Sequence, residues 1–411
     1  MKIMKKLVAA ALAASLLIMP ALMSSCAGGG TDIKIGVLRE DDTSGEAAAW
    51  EEYLKTVGSE LGFTVDFTTT NSSSSEVAAI NTYASKGYDA IMLFSDDDIP
   101  ASVNAASSKK MYVVCPTGHP TVAQYEKIMN NEYFLGSVAP DDDTEYKAGY
   151  DMAKYFVETL AQTSFTVFGG ATGYGATMHV QRLAGMLAYL CEDESTSYDG
   201  VKTRDQLAGR VIGTNLDPVK FISDKYKITG YMSGFAFDDA FSTKLTASLE
   251  AGGTCILSVG AGETISKIAY GISSSNSKIP AFMAGGVDAI TSEYGDCFDL
   301  GYAYDCGKFA SAMAPGVVMI LSALNGKRIT NTDGSAPRIA MNYWIATSKD
   351  ELLSMLASDN KKDGYCYNGS VLKHYVNGSL DELKELCSAD YDGAVAINKK
   401  YGAESGGKTG E

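Results

Sequence analysis

The stretch Gly87-Tyr88-Asp89-Ala90-Ile91-Met92-Leu93-Phe94-Ser95-Asp96-Asp97-Asp98 sets five consecutive apolar residues between a glycine turn and three carboxylates. A run that short and that uniformly apolar predicts a strand buried on both faces, as in a parallel sheet covered by helices. The same succession returns at 245–263, where an amphipathic segment, a turn with Gly252 and Gly253, and the apolar run Cys255-Ile256-Leu257-Ser258-Val259 lead to Glu263.

The alternation extends to both sides of this stretch. Strands are predicted at 33–38, 63–67, 90–94 and 111–114, with helices at 46–61, 75–85 and 99–107. After a helix at 144–160 the rhythm restarts, with strands at 165–168, 228–232, 255–259 and 281–284 and helices at 176–190 and 239–250. This implies an α/β fold: two doubly wound, flavodoxin- or Rossmann-like lobes with parallel sheets, joined by several crossing segments around a ligand cleft. Crossings are expected near 135–142 and 338–347, with a last helix at 349–357 returning to the first lobe. The first lobe is drawn as 32–139 plus 342–358 and the second as 140–341, the latter with a polar insertion at 192–227. A C-terminal extension covers 359–401, and a Gly-rich tail at 402–411 is expected to be disordered.

At the N-terminus, Lys2, Lys5 and Lys6 precede an apolar run broken only by Ser15 and Pro20, the pattern of a cleaved signal peptide over 1–25. The junction Leu22-Met23-Ser24-Ser25-Cys26 resembles a lipobox, with Met23 where Leu is usual. Cys26 is therefore the expected lipidation site, 26–31 a flexible tether, and the body an extracytoplasmic protein held at a bacterial membrane by two acyl chains. Cleavage near Ala27 with simple secretion is the alternative.

The net charge of -16 becomes -19 once the three leader lysines are removed, which disfavours nucleic acid and anionic lipid as partners. Seven cysteines remain beyond Cys26, with no CxxC or metal-type spacing. Cys115 and Cys255 read as core thiols, and Cys366 with Cys387 is the pair to consider for a disulfide.

Ligands of parallel sheets bind beyond the C-terminal ends of the strands. In the first lobe those positions hold Arg39, Glu40, Asp41 and Asp42, then Asp96, Asp97 and Asp98, then Thr117, Gly118 and His119. In the second they hold Thr172, Tyr174, Phe235, Phe237, Asp238, Glu263, Asp288, Tyr304 and Asp305. Carboxylates accept charge-assisted hydrogen bonds from adjacent hydroxyls, and aromatic faces cover the apolar side of a sugar ring. The competing reading of each Asp is a turn or helix cap.

Over 33–356 the chain resembles the periplasmic binding proteins of the ribose-type sugar family, which feed ABC transporters. The residues carrying the resemblance are Lys34-Ile35-Gly36-Val37, Gly87 to Leu93, Arg182-Leu183-Ala184-Gly185 and Phe237-Asp238. It implies a ligand-binding role for Arg182, for Asp96 or Asp97, and for Phe237, with Gly185 permitting close approach. Loss of Arg182 should then weaken binding and spare folding. The family's paired aromatic near the first helix is missing, Trp50 being the nearest substitute, and its fDg turn survives only as Gly285-Gly286-Val287-Asp288, displaced in register.

The expected function is capture of a small polar solute, a monosaccharide, by a monomer that delivers it to an ABC permease, without cofactor or metal. A sensory receptor of the same fold is the alternative, and an exported hydrolase a further one. The chain has only His119, His179 and His374 and no HExxH or GxSxG, so the reading is of a non-enzyme. A phosphate cradle at Gly169 to Gly175 fits an exported protein poorly, and the acidic runs lack calcium-loop spacing.

Overall fold

The computed structural model describes residues 33–40, 42–94, 97–171 and 176–402. The leader, Cys26 and its tether, Asp41, Asp96, Tyr174 and nearly all of the 402–411 tail lie outside the described residues.

The first sheet draws on β1 (Ile33–Arg39), β2 (Phe63–Thr69), β3 (Ala90–Leu93), β4 (Tyr112–Cys115) and β5 (Phe134–Ala139). The second draws on β6 (Ser164–Phe168), then, after a small hairpin of β7 (Ser197–Tyr198) and β8 (Phe221–Ile222), on β9 (Lys227–Met232), β10 (Cys255–Ser258), β11 (Met283–Ala289) and β12 (Tyr302–Lys308). Last come β13 (Arg338–Ala340) and β14 (Trp344–Ala346). The first sheet runs β13-β5-β4-β3-β1-β2 and the second β14-β12-β11-β10-β6-β9. Counted within each lobe, both have the doubly wound order 2-1-3-4-5 with a sixth strand added at the edge. All pairings in the first sheet are parallel, whereas β14 joins β12 antiparallel.

The four residues of β3 are wholly buried. Ala90 and Met92 point into one core cluster and Ile91 and Leu93 into another, the period-two alternation of a strand covered on both faces. Helix starts follow from local chemistry. Ser44 accepts from the Ala47 amide at 3.1 Å to begin helix Gly45–Leu61, and Asp141 accepts from Thr144 at 2.9 Å to begin Asp142–Lys154.

Three sequence expectations change. β13 completes the first sheet and β14 the second, so 338–340 goes with the first lobe and 344–346 with the second, the reverse of a boundary at 341/342. Helix Lys349–Ser358 packs beside helix Glu293–Asp299 of the second lobe, with Lys349 paired to Asp299, instead of returning to the first. Cys366 and Cys387 are not joined; all seven described cysteines are buried free thiols, and the Cys366 thiol donates to the Ser358 carbonyl.

The chain passes between lobes after β5, after β12, between β13 and β14 and again after helix Lys349–Ser358, and the first two crossings leave C-terminal strand ends. The ligand-facing edges of the two sheets are thereby turned toward each other. The C-terminal extension forms three helices over the first lobe: the Gly369 amide donates to Glu60 at 2.6 Å and the Tyr53 hydroxyl to the Tyr367 carbonyl at 2.8 Å. No described helix is long and apolar enough to cross a membrane.

Candidate functional site

Near the crossings the two lobes touch. Trp50, on helix Gly45–Leu61, donates its indole N–H to the Phe309 carbonyl at 3.2 Å, and its ring lies 5.4 Å from Phe94 at the end of β3. The ammonium of Lys308, at the end of β12, stands 5.3 Å from the same ring and 4.0 Å from Glu46. Trp50 thus joins the strand ends of both lobes, an aromatic placement that its position in the first helix hinted at. Phe94 and Lys308 were not anticipated, because each sits at the end of an apolar or mixed run with nothing in its own sequence to mark it.

At the strand ends of the second lobe a separate group of aromatic rings gathers. Phe168 ends β6 with Phe235 at 5.9 Å, Phe237 at 6.0 Å and Phe241 at 6.0 Å. Phe235 is 51% exposed, a cost in water that a ligand face would recover. Phe237 is half-buried between Phe235 and Phe241. Asp238 next to it caps helix Asp239–Glu250 through the Phe241 amide at 2.9 Å, which is the cap reading of that residue. The polar insertion reaches this end of the sheet, where the Thr214 hydroxyl donates to the Ala171 carbonyl at 2.6 Å and the Tyr231 hydroxyl to the Thr214 carbonyl.

The other candidates divide. Glu40 and Asp97 are exposed at first-lobe strand ends. Glu263 pairs with Lys267 on its own helix. Asp288, near the end of β11, accepts from the Ala261 amide at 3.0 Å and the Tyr294 hydroxyl at 2.7 Å, both through one carboxylate oxygen. Tyr304 is misplaced in the sequence reading: it is 2% exposed and points into the helix-covered side of the second sheet, against Tyr155 and Phe156. It is the third residue of β12, so it lies within the sheet and not beyond a strand end. Asp305 is fully buried with neither oxygen hydrogen-bonded, and burial together with nearby Asp288 holds its carboxyl well above the usual range.

Arg182 needs the largest correction. Its Nε donates to Glu145 at 2.6 Å, its Nη1 to the carbonyls of Val259 at 2.5 Å and Val287 at 3.1 Å, and its Nη2 to Glu145 at 3.2 Å and the Tyr343 hydroxyl at 2.7 Å. A guanidinium has five N–H donors, and all are used inside the protein. Burial alone would lower its pKa, but the Glu145 charge outweighs that and holds it raised. Arg182 ties helix Ala176–Leu190 to helix Asp142–Lys154, two strand ends and the crossing between β13 and β14. Gly185 does not admit a ligand; a Cβ there would overlap the Tyr146 carbonyl, as one on Gly149 would overlap that of Arg182, so the pair lets the two helices cross closely.

His119 contacts the Ser137 hydroxyl at 2.7 Å through Nδ1, and burial with the Arg338 charge lowers its pKa to about 4. Burial and the Arg182 charge lower that of His179 to about 3, its Nδ1 accepting from the Ala171 amide at 3.2 Å. Both imidazoles are neutral near pH 7, one at the strand ends of each lobe.

No family model and no curated protein matches this chain. Solved structures do. A periplasmic solute-binding protein of an ABC transporter from Actinobacillus succinogenes 130z, with bound D-allose, is 11% identical, with 79% of this chain and 100% of that one covered and a TM-score of 0.57. The binding-protein component of the arabinose ABC transporter of Shewanella sp. ANA-3, bound to L-arabinofuranose, is 15% identical over 78% of this chain and 93% of its own, with a TM-score of 0.52. The fructose-binding periplasmic domain of a hybrid two-component system is 12% identical over 79% and 93%, with a TM-score of 0.51. The chain has the two-lobed fold of these periplasmic binding proteins.

Proposed function

We propose that this chain captures a monosaccharide or similar polyhydroxylated solute between its lobes and delivers it, as a lipid-anchored extracytoplasmic monomer, to an ABC permease. The observation that carries the reading is an aromatic group at the C-terminal strand ends of each lobe: Trp50 with Phe94 in the first, exposed Phe235 with Phe237 in the second. Asp97, Glu40 and Asp288 supply carboxylates around them, with Asp41, Asp96 and Tyr174 assigned to the same rim by their sequence positions. Ligand hydrogen bonds to both lobes favour the closed arrangement, which the permease then recognises.

Binding without turnover fits the ionisable groups. Burial and neighbouring positive charge leave the two imidazoles at the strand ends too weakly basic for general-base work near pH 7, and burial pushes the Cys115 and Cys297 thiols up to about 12, away from nucleophilic use. Presentation of the solute to a membrane sensor is the second reading, favoured by the likeness to the periplasmic domain of a two-component system.

A thermal-shift screen of the body from Ala27 onward, against monosaccharides, disaccharides, nucleosides, amino acids and polyols, tests the proposal. A ligand at 100 times its dissociation constant adds about 2.7 kcal/mol. A response confined to one sugar class supports it, and silence to sugars with turnover of chromogenic glycosides or esters overturns it. Cys26→Ser should abolish incorporation of labelled fatty acid; retained label would remove the anchor.

A further inference from the structure

A cavity of about 510 Å³ lies beside the crossings, against the face of helix Gly45–Leu61 that carries Gly45, Ala48, Ala49 and Glu52, a different face from that of Trp50. Its size falls within the range of small-molecule sites. It is walled by both lobes and by the C-terminal segment. Phe309 and Trp344 stack there at 3.8 Å between centroids with 6° between planes, and Trp344 is completely buried. The indole N–H of Trp344 and the hydroxyl of Thr291 are buried without a hydrogen-bond partner. A buried donor left unmet is costly, and a ligand oxygen reaches these two as the wall yields around it.

The charges around the cavity share one sign. Asp359 is buried in the wall, its oxygens accepting from the Ser311 amide at 2.9 Å and the Cys366 amide at 3.0 Å. Glu293 and Glu52 stand exposed at the mouth; a Cβ built on Gly45 would lie 2.8 Å from the Glu293 carboxylate. No lysine or arginine lines the cavity, and exposed Lys361, 3.9 Å from Glu52, is the cation facing that carboxylate.

We infer that this cavity is a second binding site, for a small organic cation that also carries an acceptor oxygen and an apolar body, the chemistry of an amino alcohol. Its ammonium faces Glu293 and Glu52, its oxygen receives the Trp344 and Thr291 protons, and its carbon skeleton lies against the Phe309–Trp344 stack. Both lobes contribute walls, so occupancy is coupled to their relative position.

The chain has two tryptophans, Trp50 and Trp344, so in Trp50→Phe the emission reports on this cavity alone. Choline and phenylethanolamine are titrated against that variant beside their neutral analogues, dimethylbutanol and phenylethanediol. A saturable change is expected for at least one ammonium compound, with its neutral analogue about tenfold weaker. Glu52→Gln with Glu293→Gln, both on exposed side chains, should weaken the ammonium compound by about tenfold while the urea midpoint stays fixed. Equal responses to charged and neutral compounds, an unchanged affinity in the double variant, or no saturation by either cation below about 10 mM would each overturn the assignment.

Discussion

The two lobes share a strand order but secure their ligand-facing edges by different means. In the first, Arg39 at the end of β1 reaches Glu51 on the following helix at 2.8 Å, with 15% and 29% of the two side chains exposed, and its guanidinium lies 4.9 Å from the Phe67 ring. In the second, Arg182 meets Glu145 with 5% exposure on each side and spends its remaining donors on two strand ends and Tyr343. The more exposed pair loses a member at less cost, since Glu51 also has Lys55 beside it. A buried one cannot lose a member without stranding the other, so the second lobe's edge is fixed and the first lobe's is adjustable.

That contrast can be broken most directly at Arg182. Arg182→Met should destabilise the fold by about 3–5 kcal/mol, because Glu145 is left charged and buried. Urea denaturation measures this, and a cost no larger than that of a surface substitution would refute a fixed second edge. The expectation that loss of Arg182 spares folding is thereby reversed.

Acid tests where the lobes behave alike. His119 and His179 are neutral in the folded chain, whereas an unfolded imidazole takes up a proton below about pH 6.5. Their contribution is complete above that pH and is lost as the pH falls toward about 4 for His119 and about 3 for His179. At about pH 5 each should cost about 2 kcal/mol of stability. Asp359, whose pKa burial raises to about 6 from 3.8, acts with the opposite sign and returns about 1 kcal/mol at that pH. His119→Gln and His179→Gln should each remove a similar share of the acid sensitivity; a strongly unequal split would make the lobes differ here too.

Smaller effects belong to the surfaces. Phe235→Ala should leave the urea midpoint unchanged and weaken the sugar found by the thermal screen by about 1 kcal/mol, read by calorimetry. An unchanged affinity would place the ligand elsewhere. Glu51→Gln should cost less than about 1 kcal/mol in the same urea experiment, and a cost near that of Arg182→Met would erase the difference between the edges.

What could be read in advance follows the range of the interactions involved. The strand Ala90–Leu93 and the helix Asp239–Glu250 declare themselves through uniform apolarity and an Asp cap within a few residues. Arg182 could be flagged from its own helix, but its role is set by Glu145, 37 positions away, and Tyr343, 161 away, and no local pattern encodes those partners. β13 and β14 have three residues each, too few for a period, so the exchange of their lobes was not legible. Tyr304 sits inside β12, a strand that the mixed run Tyr302–Lys308 does not announce, and not beyond a strand end.

The placement of β13 and β14 bears on the order in which the molecule is finished. The first sheet lacks its edge strand until Ala340 has been added, and the second until Ala346. A chain emerging N-terminus first ordinarily folds its leading domain while the next is still being made. Here the leading lobe keeps an open edge beside β5 until nearly all of the trailing lobe exists, and the two close within six residues of each other. Nascent fragments ending before that point should be cut by protease beside β5 more readily than the full chain.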